Sequence, residues 1–181
     1  MAGPFNGGLS SHSGRRSGVP GDGPPQPAWS VGLRSRTSLR KAPKRHFVDP
    51  SLAASMLGAS PAHVMADPET FGLLFESLVV RDLRIYGRLQ RAEVFHYRDD
   101  TGLEADAIIE RDDGAWMAIE VKLSPARDAV EQGARSLLRL RNKVGARRVG
   151  DLGALVVVTS TGPAYPRPDG VQVVPITALG P

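Results

Sequence analysis

The chain has 181 residues, 41% of them hydrophobic, with 20 glycines, 15 prolines, no cysteine and a formal net charge of +4. That length holds one domain and a tail, and the missing cysteines exclude disulfides, thiolate metal sites and thiol catalysis, which fits a reducing, cytoplasmic setting. No run approaches the ~18 consecutive apolar residues of a membrane span, and the N-terminus lacks the apolar stretch of a secretory signal. The charge is unevenly placed. Residues 1–43 hold six Lys/Arg against the single acid Asp22, whereas residues 44–181 hold 17 Lys/Arg against 18 Asp/Glu. The basicity belongs to the tail, so net charge is weak ground for nucleic-acid binding by the rest.

Residues 1–43 are rich in Gly, Ser, Pro and Arg and have no hydrophobic periodicity. Such a segment cannot bury enough surface to offset its ordering entropy and is expected to be disordered, either an inert tail or a basic arm for nucleic acid. The folded domain is expected over 44–178. Asp49 and Pro50 supply an N-cap and a first-turn proline for a short helix that Gly58 stops. Asp67 and Pro68 repeat that chemistry for a longer helix, with Glu69 favouring its dipole. Its apolar residues Phe71, Leu74, Phe75, Leu78, Val79 and Tyr86 recur at three and four, and Gly87 should end it. Strands follow at 92–98, 103–110 and 115–123, joined by hairpin-type turns at Asp99–Gly102 and Asp112–Gly114. A helix over 127–142 precedes the apolar strand 154–160, suited to the middle of a sheet. Residues 171–176 form a last strand, and Pro175 makes it an edge or puts the proline at its end. The order is helix, three strands, helix, strand, with an extra edge strand: an α/β domain with a mixed central sheet flanked by helices.

Chemistry concentrates on the second and third strands. Side chains alternate faces along a strand. In the third, Trp116, Ala118, Glu120 and Lys122 share one face, while Met117, Ile119, Val121 and Leu123 form an apolar face that should meet a helix. In the second, Glu104, Asp106 and Ile108 share a face, and Asp106 interrupts a segment otherwise fit for burial. Pairing around Asp113–Gly114 sets Asp106 roughly opposite Glu120. Two carboxylates about 5 Å apart repel each other, and a hard divalent cation relieves that. Lys122 is placed to orient or activate a water, or to stabilise developing phosphorane charge. The alternative is an ordinary ion pair between Glu120 and Lys122 on an exposed face.

Asp106, thirteen intervening residues, then Glu120-Val121-Lys122 resembles the PD-(D/E)XK nuclease signature, with the proline-aspartate half matched loosely because Ala105 precedes Asp106. The element order is similar to that superfamily's restriction-endonuclease-like core. More closely, KAPKRHFVDPSLA, FGLLFESLVVRDL, HYRDDTGLEADAIIE and AIEVK resemble, in order, the C-terminal domain of unknown function of bacterial AAA-type ATP-binding proteins. The resemblance covers about three quarters of the chain. It implies Asp106, Glu120 and Lys122 as catalytic residues, and Asp106, Glu120 and Glu76 as ligands of a Mg²⁺ ion. Glu104 and Gln132 follow as supporting residues. From the residues alone, Glu76 is equally a solvated helix position, Glu104 a strand-face ion pair and Gln132 an ordinary polar helix residue.

Between Gln132 and Gly150 stand Arg135, Arg139, Arg141, Lys143, Arg147 and Arg148 with no acid, either a phosphate-facing cluster or a solvated helix face. The four histidines have no metal-like spacing. No G-x-x-x-x-G-K-[ST] loop occurs, so no ATP site is expected in this chain, although the resembling proteins carry an ATPase domain ahead of this one. Two expectations follow. One is a Mg²⁺-dependent nuclease-like domain. The other is a non-catalytic interaction or regulatory module of an ATPase system, or a truncated remnant of such a protein.

Overall fold

The computed structural model describes residues 25–29, 43–47, 49–56, 58 and 60–180. The remainder of the expected tail, 1–24 and 30–42, lies outside the described residues. Three helices come first: α1 Pro50–Met56, α2 Pro61–Ala66 and α3 Pro68–Leu89. Asp67 starts α3 as its sequence suggests, accepting hydrogen bonds from the Glu69 and Thr70 amides ahead of Pro68. The helix runs two residues beyond Gly87, which is buried inside its last turn because a side chain there would press on the Ala92 carbonyl. The chain then forms β1 Ala92–Arg98, β2 Glu104–Arg111, β3 Trp116–Lys122, α4 Arg127–Lys143, α5 Ala146–Gly150, β4 Leu152–Thr159, β5 Tyr165–Pro166 and β6 Val171–Pro175. A single 3-10 turn, Ile176–Ala178, follows.

The six strands make one mixed sheet in the order β1-β2-β3-β4-β6-β5. β1, β2 and β3 are an antiparallel meander, α4 crosses over so that β4 lies parallel to β3, and β6 lies parallel to β4. The last strand is therefore not the edge. The two-residue β5 pairs outside β6, and Pro175, which has no N–H to give, stands at the end of β6. The short α2, α5 and β5 carry too few residues to show a period in the sequence.

Each face of the sheet buries one helix. Phe75, Val79, Val80 and Leu83 of α3 pack on Val94, Ala107, Ile119, Val156 and Val158. Ala134, Leu137 and Leu140 of α4 pack on Ala105, Ile108, Trp116, Ala118, Leu155 and Val157. The apolar face of β3 thus meets a helix, and that helix is α3. Each fully buried Leu, Ile or Val contributes about 1.5–3 kcal/mol, so these two layers dominate the fold's stability.

Residues 25–29, read from composition as part of a disordered tail, lie against this sheet. The Trp29 amide donates to the His96 carbonyl and the His96 amide to the Pro27 carbonyl, extending the sheet beyond β1. Gln26 and Lys44 exchange backbone hydrogen bonds in both directions, at 2.8 and 3.0 Å. Trp29 is buried in the core on the α4 side of the sheet, against Trp116, their ring centroids 4.6 Å apart. One large aromatic side chain suffices to anchor a segment whose remaining composition signals disorder.

Candidate functional site

The site is built by an irregularity in β2. Phe95 pairs with Ile108 and Tyr97 with Ala105, so the single residue His96 faces both Asp106 and Ala107. This bulge puts Ala105 and Ile108, three residues apart, on the same α4 side of the sheet. The expected alternation of Glu104, Asp106 and Ile108 on one face is corrected accordingly, because the bulge interrupts the period of two. The β2–β3 pairing ends at Ala107 and Ile119. Beyond it Asp106 turns into the gap, and its Oδ2 accepts the Val121 amide at 2.8 Å. Its other oxygen, Oδ1, lies 3.5 Å from the Lys44 ammonium.

Glu120 stands on the α4 face of β3, its side chain only 7% exposed, with its Oε2 3.0 Å from Lys122 Nζ. Burial, and then the charge of Asp106, push its carboxyl up to about 8 against the pull of Lys122. A largely buried acid that feels the charge of another carboxylate is unlike a solvated strand-face pair. Glu76, on α3, is raised by burial and by Asp106, with Lys44 opposing. The Lys44 ammonium approaches Glu76 Oε1 to 2.5 Å, yet off the hydrogen-bonding angle, so this buried oxygen has a charge partner and no well-directed donor. Burial works against the Lys44 charge, but Glu76 and Asp106 outweigh it and raise its pKa above the ordinary lysine value.

The structure therefore brings Glu76, Asp106, Glu120 and Lys122 into one electrostatic cluster and adds Lys44, which the sequence reading left unassigned. Glu104 pairs across the strand with Arg98 at 2.6 Å, the ion-pair role; its charge still raises Glu76 and Glu120 slightly. Gln132 is exposed on α4. The residue of α4 that touches the site is its neighbour Gly133, where a Cβ would stand 3.2 Å from Lys122 Cε and 3.4 Å from Glu120 Cβ. Among the described residues no three His, Asp or Glu side chains are grouped to hold a metal. The donors do fit Mg²⁺ in the mode that uses one or two carboxylates and completes its shell with water. Asp106 and Glu120 would be those two, Glu76 being engaged with Lys44.

Two members of the basic cluster are committed to the fold. Lys143 Nζ donates to Asp99 Oδ2 and to Thr101 Oγ1, both at 2.7 Å, tying α4 to the β1–β2 turn. Arg148 binds Glu110 at 2.8 Å and the Gly114 carbonyl at 2.9 Å, and covers the rings of Trp29 and Trp116. Arg135, Arg139 and Arg147 are exposed and Arg141 is half-buried.

Sequence reasoning missed a further buried network. Gln26 Nε2 donates to the Phe95 carbonyl at 2.7 Å and to the Asp106 carbonyl at 3.0 Å. Its Oε1 is thereby the acceptor for His46 Nε2, 2.7 Å away. Burial, with the charges of Lys44 and Arg84, lowers His46 to about 4 and keeps its ring neutral. Gln26 thus supports the bulge from beneath, while the pairing of its backbone with Lys44 fixes where that side chain starts.

No helix among the described residues is long and apolar enough to cross a membrane. No curated protein matches this chain, and no solved structure does. A family model described as a domain of unknown function (DUF4143) matches residues 71–179, a span that holds Glu76, Glu104, Asp106, Glu120, Lys122 and Gly133 but not Lys44. The match covers more than half of the sequence, and the chain belongs to the DUF4143 family.

Proposed function

We propose that the domain is a PD-(D/E)XK-like nuclease that hydrolyses phosphodiester bonds of nucleic acid with Mg²⁺. The observation that carries this reading is the placement of Glu120. It is a buried carboxylate that feels the charge of Asp106 and is paired with Lys122, near the place where the β2–β3 ladder opens. Three carboxyl groups face two ammonium groups here, and a bound divalent cation would favour their ionised forms. Asp106 and Glu120 would hold the ion, which when bound supplies Lewis acidity to the phosphate and acidifies a water. Lys122 stands beside them to orient that water or to meet the charge growing on the phosphorus oxygens. The Val121 amide fixes the rotation of the Asp106 carboxylate. Arg135, Arg139, Arg141 and Arg147 remain for contacts to the phosphate backbone, which carry affinity without sequence preference.

Incubation of the purified chain with DNA and RNA, with Mg²⁺ or Mn²⁺ and with chelator, tests this. Metal-dependent cleavage is expected, reduced by about 100-fold or more in Lys122→Ala and in Asp106→Asn, in line with loss of a group that stabilises the transition state. Cleavage that survives Lys122→Ala, or no cleavage of any substrate, overturns the reading.

A second reading is a non-catalytic docking module for an ATPase partner. It is favoured by the exposure of Ile85 and Leu89 on α3, 53% and 67%, together with Met65 of α2 and Leu52 of α1. Sedimentation that shows only monomer, with no complex on adding a candidate ATPase, argues against it.

A further inference from the structure

We propose that the Lys44 ammonium is a tethered counter-ion occupying the cation position of this site, and that a divalent ion binds only when that ammonium swings away. The inference rests on the assignment of Asp106 and Glu120 as metal ligands. Asp106 has one oxygen committed to the Val121 amide, and the other is the one Lys44 approaches. A cation arriving at Asp106 therefore meets the ammonium at the same oxygen. The contact with Glu76 is close in distance but poor in direction, leaving a buried oxygen without a proper donor. A spherical ion or its bound water has no such angular demand, so the ammonium fits the position worse than an ion would.

The exchange requires only side-chain movement. The Lys44 backbone stays paired with Gln26 in both directions. Its side chain is 35% exposed and lines a solvent-open cavity of about 280 Å³ beside His96, Arg98 and Glu104. Rotation toward Glu104 keeps the ammonium near an acid while freeing Asp106. Lys122 stays on Glu120, and the exchange replaces one positive charge with two beside the carboxyl groups of Glu76, Asp106 and Glu120.

Calorimetric titration of the full chain with Mn²⁺ tests this on wild type, Lys44→Met and Lys44→Arg. Removing a unit charge at contact distance should tighten Mn²⁺ binding by at least about tenfold in Lys44→Met, while Lys44→Arg binds no more tightly than wild type. Asp106→Asn placed in the Lys44→Met background should abolish that binding, and retained binding overturns the proposal because the ion is then elsewhere. Equal affinity in wild type and Lys44→Met overturns the proposal and leaves the metal reading standing; no binding in any form overturns both. A measurement on the wild type alone covers a variant that fails to fold. The rate of Lys44 acetylation, read by mass spectrometry in non-coordinating buffer, should rise on adding Mn²⁺, and an unchanged rate overturns the exchange.

Discussion

At the scale of single residues, burial decides what the charged groups do. Glu120 carries a proton in the folded state up to about pH 8, whereas in the unfolded chain it loses it near the ordinary value of about 4.3. Between those values the folded state binds the extra proton, so this group's contribution to stability falls as pH rises through the window. Glu120→Gln removes that fall. Urea unfolding should find it equal to wild type near pH 4.5 and more stable at pH 9, by up to about 5 kcal/mol for the full shift at about 1.4 kcal/mol per pKa unit. His46 works in the opposite sense. Its folded pKa of about 4 lies below the unfolded one, so stability is lost as pH falls from about 6.5 toward 4. Gln26→Ala would take a hydrogen-bond partner from His46 and from the Phe95 and Asp106 carbonyls and should cost about 3 kcal/mol in the same measurement. Asp106, Glu120 and Lys122 were legible because a carboxylate amid apolar strand residues has few reasons to be there. Lys44 was not, since its role arises from a contact with Glu76 across 32 positions of sequence, and nothing local distinguishes it from the other lysines.

Among elements, α3 and α4 could be read almost to the residue. Apolar spacing and the Asp67-Pro68 cap are local signals, and both survive tertiary packing. The β2 bulge could not, because Ala105-Asp106-Ala107 contains neither glycine nor proline to mark it. The alternation rule consequently assigned Glu104 to the face of Ile108. The phase of α4 was missed by one position. A glycine inside a helix costs about 1 kcal/mol relative to alanine, so Gly133 was itself the available signal for close approach to the sheet. Gly133→Ala should leave stability within about 1 kcal/mol, helix propensity offsetting the squeeze on Lys122 and Val157. Gly133→Leu should destabilise by about 2–3 kcal/mol through overpacking. Thermal unfolding of the two variants checks the pair. The link from α4 to the β1–β2 turn is equally open to test. Burial disfavours the Asp99 charge, but Lys143, Thr101 and Tyr97 donate to it and hold its carboxyl well below the usual range. Lys143→Met, which leaves that buried carboxylate unpaired, should cost about 3 kcal/mol by urea denaturation.

For the whole molecule, the balance of mixed sheet and two covering helices followed from the order of hydrophobic patterns, while the boundary of the folded part did not. Composition is an average, and residues 25–29 are held by one tryptophan and one glutamine that an average conceals. Trp29→Ala should destabilise the domain by about 3–5 kcal/mol and loosen the bulge that Gln26 supports, measured as faster amide hydrogen exchange at Val121. The sequence contains only two tryptophans, and the fold stacks them against each other, tilted by 40° under the Arg148 guanidinium. Their intense far-ultraviolet indole transitions should therefore couple, giving a circular dichroism couplet that neither indole has alone. One indole belongs to the central sheet and the other to the segment that underpins Asp106. The protein thus carries its own optical gauge, in which loss of the couplet marks departure of that segment from the sheet before the remainder of the domain unfolds.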